Sequence, residues 1–532
     1  MSIRDWFSLL TPRSRNADAI APTEAEQQKL NQFAAHADFE AGLAAYSVRD
    51  YTTAIARFKR VIAIRHDDAD THNNLGLSYL AAHQYEDALD AFVLSAHFRP
   101  RFPQAYYNMA LATRAVGALD ESVRYLEQAI EIKPDFVAAH NTLGYMLTHQ
   151  TGDFAQGAAH IRTALSLDPA DPDVLCNYGA VLVQEGNADE ALKLCERLVK
   201  AYPDMHEARL NRALAKLKLG RFDTGWRDYE ARKLAGGNYI SRAITLPEWQ
   251  GESLHRKKLL VYAEQGLGDQ IMFASCLPDL LKRADSCLIE CARPLASLFT
   301  RSFAPAMVVM QSGDAELLRT AEAAGMNYQV AIGSVPAQVR RNAEEFPPQA
   351  GFLRAEASRT DFWKARLDAL GKGLKVGISW TGGAPSTRGA NRSTRVVDWL
   401  PILQQQGCHF INLQYGSAGA DLQPFRQLNP GLMLHDWPEA IVNYDETAAL
   451  VAALDLVISV QTAVVHLAGA LGTPAWVMLQ AACEWRYGQH GESMPWYSSV
   501  RLFRQARQSE WNPVISDVTR HLSEMAKPCS GR

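Results

Sequence analysis

The segment LLVYAEQGLGDQIM, residues 259–272, joins an apolar run to a helix-like pattern through two glycines and an aspartate. A dinucleotide fingerprint would need a third glycine where Ile271 stands, and a phosphate loop would need a Gly-Lys-Ser/Thr sequence that is missing here. Asp269 begins the predicted helix, where the helix dipole stabilises a carboxylate and the carboxylate repels phosphate. The loop is therefore interpreted as presenting Asp269, either as a general base or as a helix cap without catalytic consequence.

A second segment, DLVISVQTAVVHLAGALGTP, predicts a buried strand followed by a helix whose first turn contains no acid. Thr462 is the predicted N-cap, and the amides of Ala463 and its neighbours are predicted to hold a pyrophosphate. His466 lies one turn further on and could donate to the same anion. The alternative for His466 is a half-buried histidine that is satisfied within the core.

Two more predicted strand ends carry polar and aromatic side chains that could bind a ligand. They are Trp380 with Thr381, in GISWTGG, and Gln414 with Tyr415, in NLQYG. An amide and an aromatic ring suit the edge and the face of a base. The loop after Thr381 contains Arg388, Arg392 and Arg395, which could bind phosphate through paired N–H donors or form a solvated basic loop.

The C-terminal segment CEWRYGQHGESMPWYSSVRLFRQ is dense in aromatic residues and arginines, including Trp485, Arg486 and Trp496. Packing of a C-terminal lobe with a polar inner rim explains most of this density. No Asp-x-Asp pair follows a strand, so the sequence does not support a divalent metal that would hold a diphosphate. We expect neither a metal nor a cofactor, and arginines with a helix N-terminus would have to neutralise a leaving group.

Composition restricts the function classes. A formal net charge of −4 over 532 residues gives no support to nucleic-acid binding. The eight cysteines form no Cys-x-x-Cys pair, which favours a reducing, cytoplasmic location without zinc or disulfides. No window is apolar enough to predict a membrane-spanning helix. The N-terminal MSIRDWFSLL is either a short docking helix or, as we expect, part of a flexible tail over 1–28.

The chain also contains a sequence repeat with a period of 34 or 35 residues, whose elements must help to position the rest of the chain. Proline recurs at Pro100, Pro134, Pro169 and Pro203, and small residues recur at Gly76, Ala110, Gly144, Gly179 and Ala213. Small residues permit close crossing of paired helices, and proline follows a helix that it cannot continue. The pattern resembles tetratricopeptide repeats and predicts an all-α solenoid over 29–235, with a concave surface that binds peptide. Such an array could also support oligomers.

Amides precede the small positions in four repeats, at Asn74, Asn108, Asn177 and Asn211. If they project along the inner face of the array, they could grip an acceptor peptide, because an amide both donates to and accepts from backbone. The alternative is that each bonds a neighbouring helix.

Beyond a predicted linker at 236–256, short apolar runs alternate with helical patterns. These runs are LLVY, CLIEC, AMVVM, YQVAI, LKVGISW, CHFINLQY, DLVISV and PAWVML. Uninterrupted apolar strands separated by helices predict parallel sheets, with ligands bound beyond the carboxyl ends of the strands. We therefore expect a multidomain α-then-α/β chain with two Rossmann-like lobes: 257–365 on the acceptor side and 366–532 on the nucleotide-sugar side.

Taken together, EQGLGDQIMFASCLPDLL, GISWTGG, LQYG, HLAGALGTP and WYSSVRLFRQ resemble bacterial repeat-bearing glycosyltransferases. These enzymes have a heptosyltransferase-like GT-B region and are similar in plan to O-GlcNAc transferases. The resemblance implies inverting, metal-independent transfer from a nucleotide sugar, with Asp269 as the base and the helix opened by Thr462 on the donor pyrophosphate. The family usually has Asp-Thr where this chain has Gln461-Thr462, a departure that bears on the donor sugar or on activity itself.

Three functions follow as hypotheses. The first is transfer of sugar to Ser or Thr of a protein held by the repeats, with flagellin as a natural guess. In it Asp269 takes the proton, while Thr462, its helix amides, His466 and Arg392 stabilise the departing diphosphate. The second is an inactive repeat scaffold, which Gln461 favours. The third keeps the enzyme but makes the acceptor a saccharide or a lipid-linked glycan.

Overall fold

The computed structural model describes residues 23–151, 153–236, 242–348, 351–382, 392–416 and 419–527. It divides into two compact units, Met1–Leu143 and Gly144–Arg532. The described part of the first unit consists of helical hairpins. The second unit contains further hairpins and two sheets. This division differs from the predicted domain boundaries, because the repeat period alone predicts one array up to residue 235.

Paired helices follow one another at the repeat spacing. They are α1 (Glu24–Ser47), α2 (Tyr51–Ile64), α3 (Ala69–Ala81), α4 (Tyr85–Phe98), α5 (Pro103–Ala115), α6 (Leu119–Ile132), α7 (Val137–Met146), α8 (Phe154–Leu167), α9 (Pro172–Gln184), α10 (Ala188–Ala201), α11 (His206–Lys218) and α12 (Phe222–Tyr229). The Asp50 side chain caps α2 by accepting from the Thr53 amide. Proline occupies the first position of α5 and α9, where the helix needs no amide donor. These features confirm the all-α repeat array.

The small-residue positions lie where paired helices cross. A Cβ at Gly76 would come within 2.5 Å of the Phe92 ring, and one at Gly179 within 2.9 Å of Cys195 Sγ. A larger side chain at either position would push the two helices of its hairpin apart.

One repeat contains an extra residue, since Gly144 and Gly157 are one position farther apart than Gly76 and Ala88. The structure places a π-helical turn at Leu147–Thr151, directly after α7. A Cβ at Gly144 would lie 2.8 Å from the Gly157 carbonyl oxygen, so the crossing itself remains close. The insertion is therefore absorbed by one helical turn, near the boundary between the two compact units.

The predicted tail over 1–28 is too long, because α1 begins at Glu24. The Glu26 amide donates to Thr23 Oγ1 at 3.4 Å, and the Thr23 amide donates to Glu26 Oε2 at 2.9 Å. This capping box satisfies amides that the first helical turn leaves without partners. Residues 1–22 lie outside the described residues.

The first lobe contains a parallel sheet in the order β3-β2-β1-β4. Its elements are β1 (Lys258–Tyr262), α13 (Leu267–Ala274), α14 (Leu277–Leu281), β2 (Ser286–Cys291), α15 (Ala296–Ser302), β3 (Met307–Met310), α16 (Asp314–Ala323), β4 (Tyr328–Ala331) and α17 (Pro336–Val339). The four apolar runs predicted as strands in this region are confirmed. The loop to α13 follows the carboxyl end of β1.

The predicted linker is largely part of this lobe. The Trp249 amide donates to the Gln329 carbonyl at 2.8 Å, and the Trp249 side chain is buried. Arg242 reaches Glu290, a buried carboxylate on β2, at 3.1 Å. Residues 237–241 lie outside the described residues.

The second lobe contains a sheet in the order β10-β11-β9-β8-β5-β6-β7, in which only β10 and β11 pair antiparallel among the described strands. Its elements are α18 (Ala357–Asp368), β5 (Leu374–Ser379), α19 (Leu400–Leu403), β6 (Cys408–Asn412), α20 (Gly419–Leu428), β7 (Leu434–His435), α21 (Tyr444–Ala453), β8 (Leu456–Val460), α22 (Ala463–Leu471), β9 (Ala475–Leu479), β10 (Ser493–Met494), β11 (Tyr497–Arg504) and α23 (Trp511–Ala526). The sequence pattern did not indicate β11, whose exposed and buried residues are mixed.

The predicted boundary between the lobes, 365/366, falls inside α18. Trp363 Nε1 on this helix donates to Glu446 Oε2 on α21 at 3.0 Å, and Arg359 pairs with the same carboxylate. The helix therefore packs on the second lobe, and that lobe begins before residue 366.

One hydrophobic core joins the last repeat hairpin to both lobes. It includes Trp226 on α12, Phe273 on α13 and Trp496, which are all buried. The hairpin is consequently a structural part of the α/β region. In the described part of the chain, no helix combines the length and apolar character needed to cross a membrane.

Candidate functional site

The N-termini of α13 and α22 meet between the two lobes. A Cβ at Gly268, the second residue of α13, would lie 3.1 Å from His466 Cδ2 and 3.6 Å from Ala463 Cα. A side chain there would force the neighbours apart, so the approach depends on glycine. The two segments singled out for chemistry in the sequence therefore lie side by side.

Asp269 lies in the first turn of α13 and faces the second lobe. Its Oδ2 accepts from the Gly266 amide at 3.3 Å. Its Oδ1 is 2.7 Å from Nη1 of Arg486, which lies in the loop between β9 and β10, and both side chains are mostly buried. Sequence reasoning explained Arg486 by packing and missed this pairing, because nothing local indicates which carboxylate an arginine will meet.

The loop before Asp269 is held by the last repeat. Arg232, in a 3₁₀ turn directly after α12, donates to Glu264 at 2.6 and 3.1 Å, and both side chains are buried. Gln265 has a positive φ of 62°, which is an uncommon conformation for a residue with a side chain. Its side-chain Nε2 donates to the Tyr229 hydroxyl at 3.0 Å. The repeat array thus fixes the conformation of the loop that presents Asp269.

The same hairpin also holds the segment that carries Arg486. Trp226 packs edge-to-face on Trp485, with ring centroids 5.6 Å apart. Lys218 Nζ at the end of α11 donates to the Cys483 carbonyl at 2.7 Å. Both members of the Asp269–Arg486 pair are therefore positioned by the end of the repeat array.

The start of α22 carries no acidic residue in its first turn and no side-chain cap. Thr462 occupies the N-cap position, but its side chain makes no capping bond to the first-turn amides. Gln461 is 2% exposed, and neither Oε1 nor Nε2 has a hydrogen-bond partner within the described residues. A buried amide without partners costs about 1–3 kcal/mol per group, so these two atoms are able to bind a ligand or an ordered water.

Gly382, after β5, approaches the same place. A Cβ there would come within 2.9 Å of the Gln461 carbonyl oxygen and 3.1 Å of Arg392 Cγ. Arg392 Nε donates to the Gly382 carbonyl at 3.3 Å. Gly382 therefore lies against both Arg392 and the backbone of Gln461.

His466 is buried on α22, and its Nδ1 lies 3.2 Å from the Tyr497 hydroxyl. Burial, with the nearby guanidinium groups of Arg486 and Arg392, holds the pKa of His466 well below 6.5. Burial also raises the pKa of Tyr497 well above its usual value. The imidazole is consequently neutral near pH 7, and the tyrosine remains protonated.

The depressed pKa of His466 has a consequence for stability. Above about pH 6.5 the ring is neutral in both folded and unfolded chains, and below it only the unfolded chain takes up the proton. The free energy of unfolding that this group contributes should therefore fall by about 1.4 kcal/mol for each pH unit below about 6.5. His466→Phe should flatten this decline in urea unfolding between pH 7 and pH 5.

His255 is exposed and offers the matched control. His255→Phe should retain the wild-type decline. Equal pH dependence in the wild type and His466→Phe would show that the imidazole is protonated when folded, contrary to this expectation.

Several predicted donor-binding residues have other environments. Trp380 is buried in the core of the second lobe. Gln414 Oε1 accepts from the Trp380 and Thr381 amides at 3.0 and 2.8 Å, and its Nε2 donates to the Thr381 carbonyl. Trp380 and Gln414 therefore stabilise the end of β5. This corrects the expectation that these two side chains bind a donor substrate. Tyr415 is exposed and can still stack on a ring, while Arg388 lies outside the described residues.

The asparagine series is also used largely for structure. Asn108 is buried and donates to Asn73 at 2.8 Å, and Asn211 donates to the Cys176 carbonyl at 3.0 Å. Asn74 donates to a carbonyl within its own helix. Of the two interpretations of the series, these contacts support bonding between or within helices rather than a ladder for peptide. Asn177 is partly exposed.

A cavity of about 280 Å³ adjoins Arg486. It lies between the turn that follows α11 and the loop from Trp485 to Trp496. Lys218, Phe222, Trp485, Arg486, Gln489 and Trp496 contribute to its lining. Arg486 therefore both lines this cavity and pairs with Asp269.

Comparison with protein-family models identifies the repeats. Tetratricopeptide-repeat models match residues 42–82, 73–137, 107–173 and 148–217. A thermophilic TPR protein from Thermus thermophilus is 20% identical, with a TM-score of 0.30, over 34% of this chain and 99% of that one. The repeat assignment made from the residue period is confirmed by the family models, and repeats of this type mediate protein–protein contacts.

Two curated relatives extend the comparison. Protein FlbA of Caulobacter vibrioides is 31% identical over 494 residues, covering 90% of this chain and 82% of FlbA. Human protein O-mannosyl-transferase TMTC3 is 24% identical over 195 residues, covering 34% of this chain and 21% of TMTC3. The similarity to FlbA must continue beyond the repeats into the two lobes, whereas the similarity to TMTC3 involves about a fifth of that protein.

Proposed function

This chain belongs to the same family as Caulobacter vibrioides FlbA, and on that premise we propose that it is a glycosyltransferase. In this proposal the lobes form a GT-B pair, with the acceptor on the first lobe and a nucleotide sugar on the second. The sugar passes with inversion, and without a metal ion, to a Ser or Thr hydroxyl of a protein recruited by the repeats. The similarity to a protein O-mannosyl-transferase covers 34% of this chain and 21% of that protein, so it gives this proposal only weak support.

Asp269 is the proposed general base. The acceptor hydroxyl gives its proton to this carboxylate while its oxygen bonds to the anomeric carbon. The bond from that carbon to the diphosphate breaks, and its electron pair leaves with the diphosphate. The placement of Asp269 at a strand's carboxyl end, opposite the helix N-terminus of the other lobe, supports this role.

The start of α22 is the proposed site of the leaving diphosphate. Its first-turn amides are not capped by Thr462, and the helix dipole favours an anion there. Arg392 and Arg486 add two positive charges, and the amide of Gln461 adds a donor and an acceptor that have no partner in the described residues. Fixed charges of this kind stabilise a leaving anion without a metal.

His466 is proposed as a neutral hydrogen-bond donor to the same diphosphate. If the protonated Tyr497 hydroxyl donates to Nδ1, the imidazole carries its proton on Nε2. The Cδ2 edge of the ring faces Gly268 and thus the catalytic loop. A neutral donor avoids the desolvation cost of a third buried cation.

The cavity beside Arg486 is proposed as the entrance for the acceptor residue. It lies next to the last repeat turn, and Arg486 separates it from the Asp269 carboxylate. The asparagine series would then contribute to the shape of the array, while recruitment would depend on other residues of its surface.

The observation that supports this function most is the meeting of Asp269, Arg486 and the α22 N-terminus at one point. A thermal-shift panel of nucleoside diphosphates and nucleotide sugars tests it, because a ligand bound only by the folded chain raises Tm. At a concentration 100-fold above Kd the stabilisation should be about 2.7 kcal/mol. A donor found in this way should transfer labelled sugar to protein in a bacterial extract, with or without a chelator.

If the label appears in the lipid extract instead of in protein, the acceptor is a lipid-linked glycan and the chain is still a glycosyltransferase. A flat thermal response across the panel would contradict the transferase and favour a scaffold. Gln461 is the observation that supports this second function, since the related enzymes usually have an acid there. The pairing of Asp269 with an arginine is also compatible with an inactive site.

A further inference from the structure

The Asp269–Arg486 contact is a close approach of charges without aligned hydrogen bonds. The atoms Asp269 Oδ1 and Arg486 Nη1 are 2.7 Å apart. Even so, Oδ1 receives no hydrogen bond of normal geometry, and the buried Nε of Arg486 has no partner among the described residues. A bidentate guanidinium–carboxylate pair would use both donors and bind more strongly. The observed contact leaves the guanidinium group able to take a better partner.

Two arginines and two carboxylates lie around this contact, and a helix N-terminus adds a partial positive charge. Arg486 and Arg392 both lie near His466, which is neutral, and the N-terminus of α22 adds a partial positive charge. Glu484 also interacts with Arg486, so one further carboxylate faces the group from its own loop. A diphosphate provides more charge and more acceptor oxygens than a single carboxylate, and arginine binds such oxygens in pairs.

The backbone beside Arg486 is fixed, whereas its side chain has room to move. Trp485 is buried against Trp226, and the Cys483 carbonyl is bonded to Lys218. The adjoining cavity of about 280 Å³ is lined in part by the Arg486 side chain. We therefore expect a change of partner to be a movement of the side chain rather than of the backbone.

We propose that Arg486 exchanges partners during the reaction. It holds the Asp269 carboxylate before the donor binds, moves to the donor diphosphate when the donor arrives, and so releases Asp269 to accept the hydroxyl proton. The base becomes available only when a leaving group is in place. This inference rests on the proposed function and makes Arg486 a catalytic residue.

Binding of inorganic pyrophosphate to the full chain, measured by calorimetry at fixed pH and salt, tests the exchange. Asp269→Asn should tighten binding about fivefold or more, because Arg486 no longer has a competing partner. Arg486→Met should weaken binding at least tenfold, and Arg486→Lys should restore part of the loss. In the double variant Asp269→Asn/Arg486→Met, the gain from Asp269→Asn should disappear.

Arg301 and Asp445 form another ion pair between the lobes, away from the site, and provide a matched control. Asp445→Asn should leave pyrophosphate affinity unchanged. If the wild type binds pyrophosphate but Asp269→Asn does not tighten it, or if the double variant keeps the gain, the exchange is wrong and the proposed function stands. If neither pyrophosphate nor any nucleoside diphosphate binds the wild type, both are wrong.

Discussion

Asp269→Asn should lower the rate of sugar transfer about 10²–10⁴-fold, the range that a general base contributes. The amide retains the size of the side chain and a contact to the Gly266 amide, but it cannot accept a proton. The measurement is the initial rate of label transfer from the donor found in the thermal-shift panel. Binding of the donor should persist, because the residues proposed to hold the diphosphate lie on the second lobe.

Asp279→Asn is the matched control for this substitution. Asp279 is also a first-lobe carboxylate paired with an arginine, Arg340 at 2.8 Å, but it lies on α14 and outside the site. Its variant should transfer sugar at nearly the wild-type rate. A rate for Asp269→Asn within threefold of the wild type would remove Asp269 from the mechanism.

Arg232→Met should lower the free energy of unfolding by about 3–5 kcal/mol, because Glu264 would remain buried without its cation. Glu264 also accepts from the Gly333 amide at 2.8 Å, a contact too weak to replace a guanidinium group. Urea unfolding followed by tryptophan fluorescence reports on this region, since Trp226 and Trp485 lie in the same core. In the double variant Arg232→Met/Glu264→Gln, much of the loss should be recovered.

Arg227, on the same hairpin, forms an exposed ion pair with Asp223. Arg227→Met removes an arginine of equal size from a solvated pair, and its effect should remain within about 0.5 kcal/mol. A loss below about 1 kcal/mol for Arg232→Met would show that the Arg232–Glu264 pair is not what joins the repeats to the loop before Asp269.

The fused hairpin gives the repeats a structural role in addition to the recruitment proposed above. Tyr229 and Arg232 hold the loop before Asp269, and Trp226 holds the segment of Arg486. Separation of the α/β region from its last repeat would remove these contacts and expose part of the shared core. The last repeats and the two lobes accordingly belong to one compact unit, Gly144–Arg532.

The sequence by itself determined the repeat array, the apolar strands and the two segments at which chemistry was expected. These features depend on spacing along the chain: a period of 34 or 35 residues, short apolar runs, and glycines before a helix. Each can be read locally because side chains a few positions apart share one helix face or one strand face. The extra residue near Gly157 was visible in the same way, although its π-helical outcome was not.

The tertiary structure alone decided which side chains meet. Nothing near Asp269 indicates Arg486, nothing near Glu264 indicates Arg232, and the amide of Gln414 was expected to face a ligand rather than the end of β5. Charges and amides choose partners across the fold, because burial leaves each of them an energetic penalty that only a specific neighbour can remove. Such partners come from distant parts of the chain, and their positions depend on how whole lobes pack.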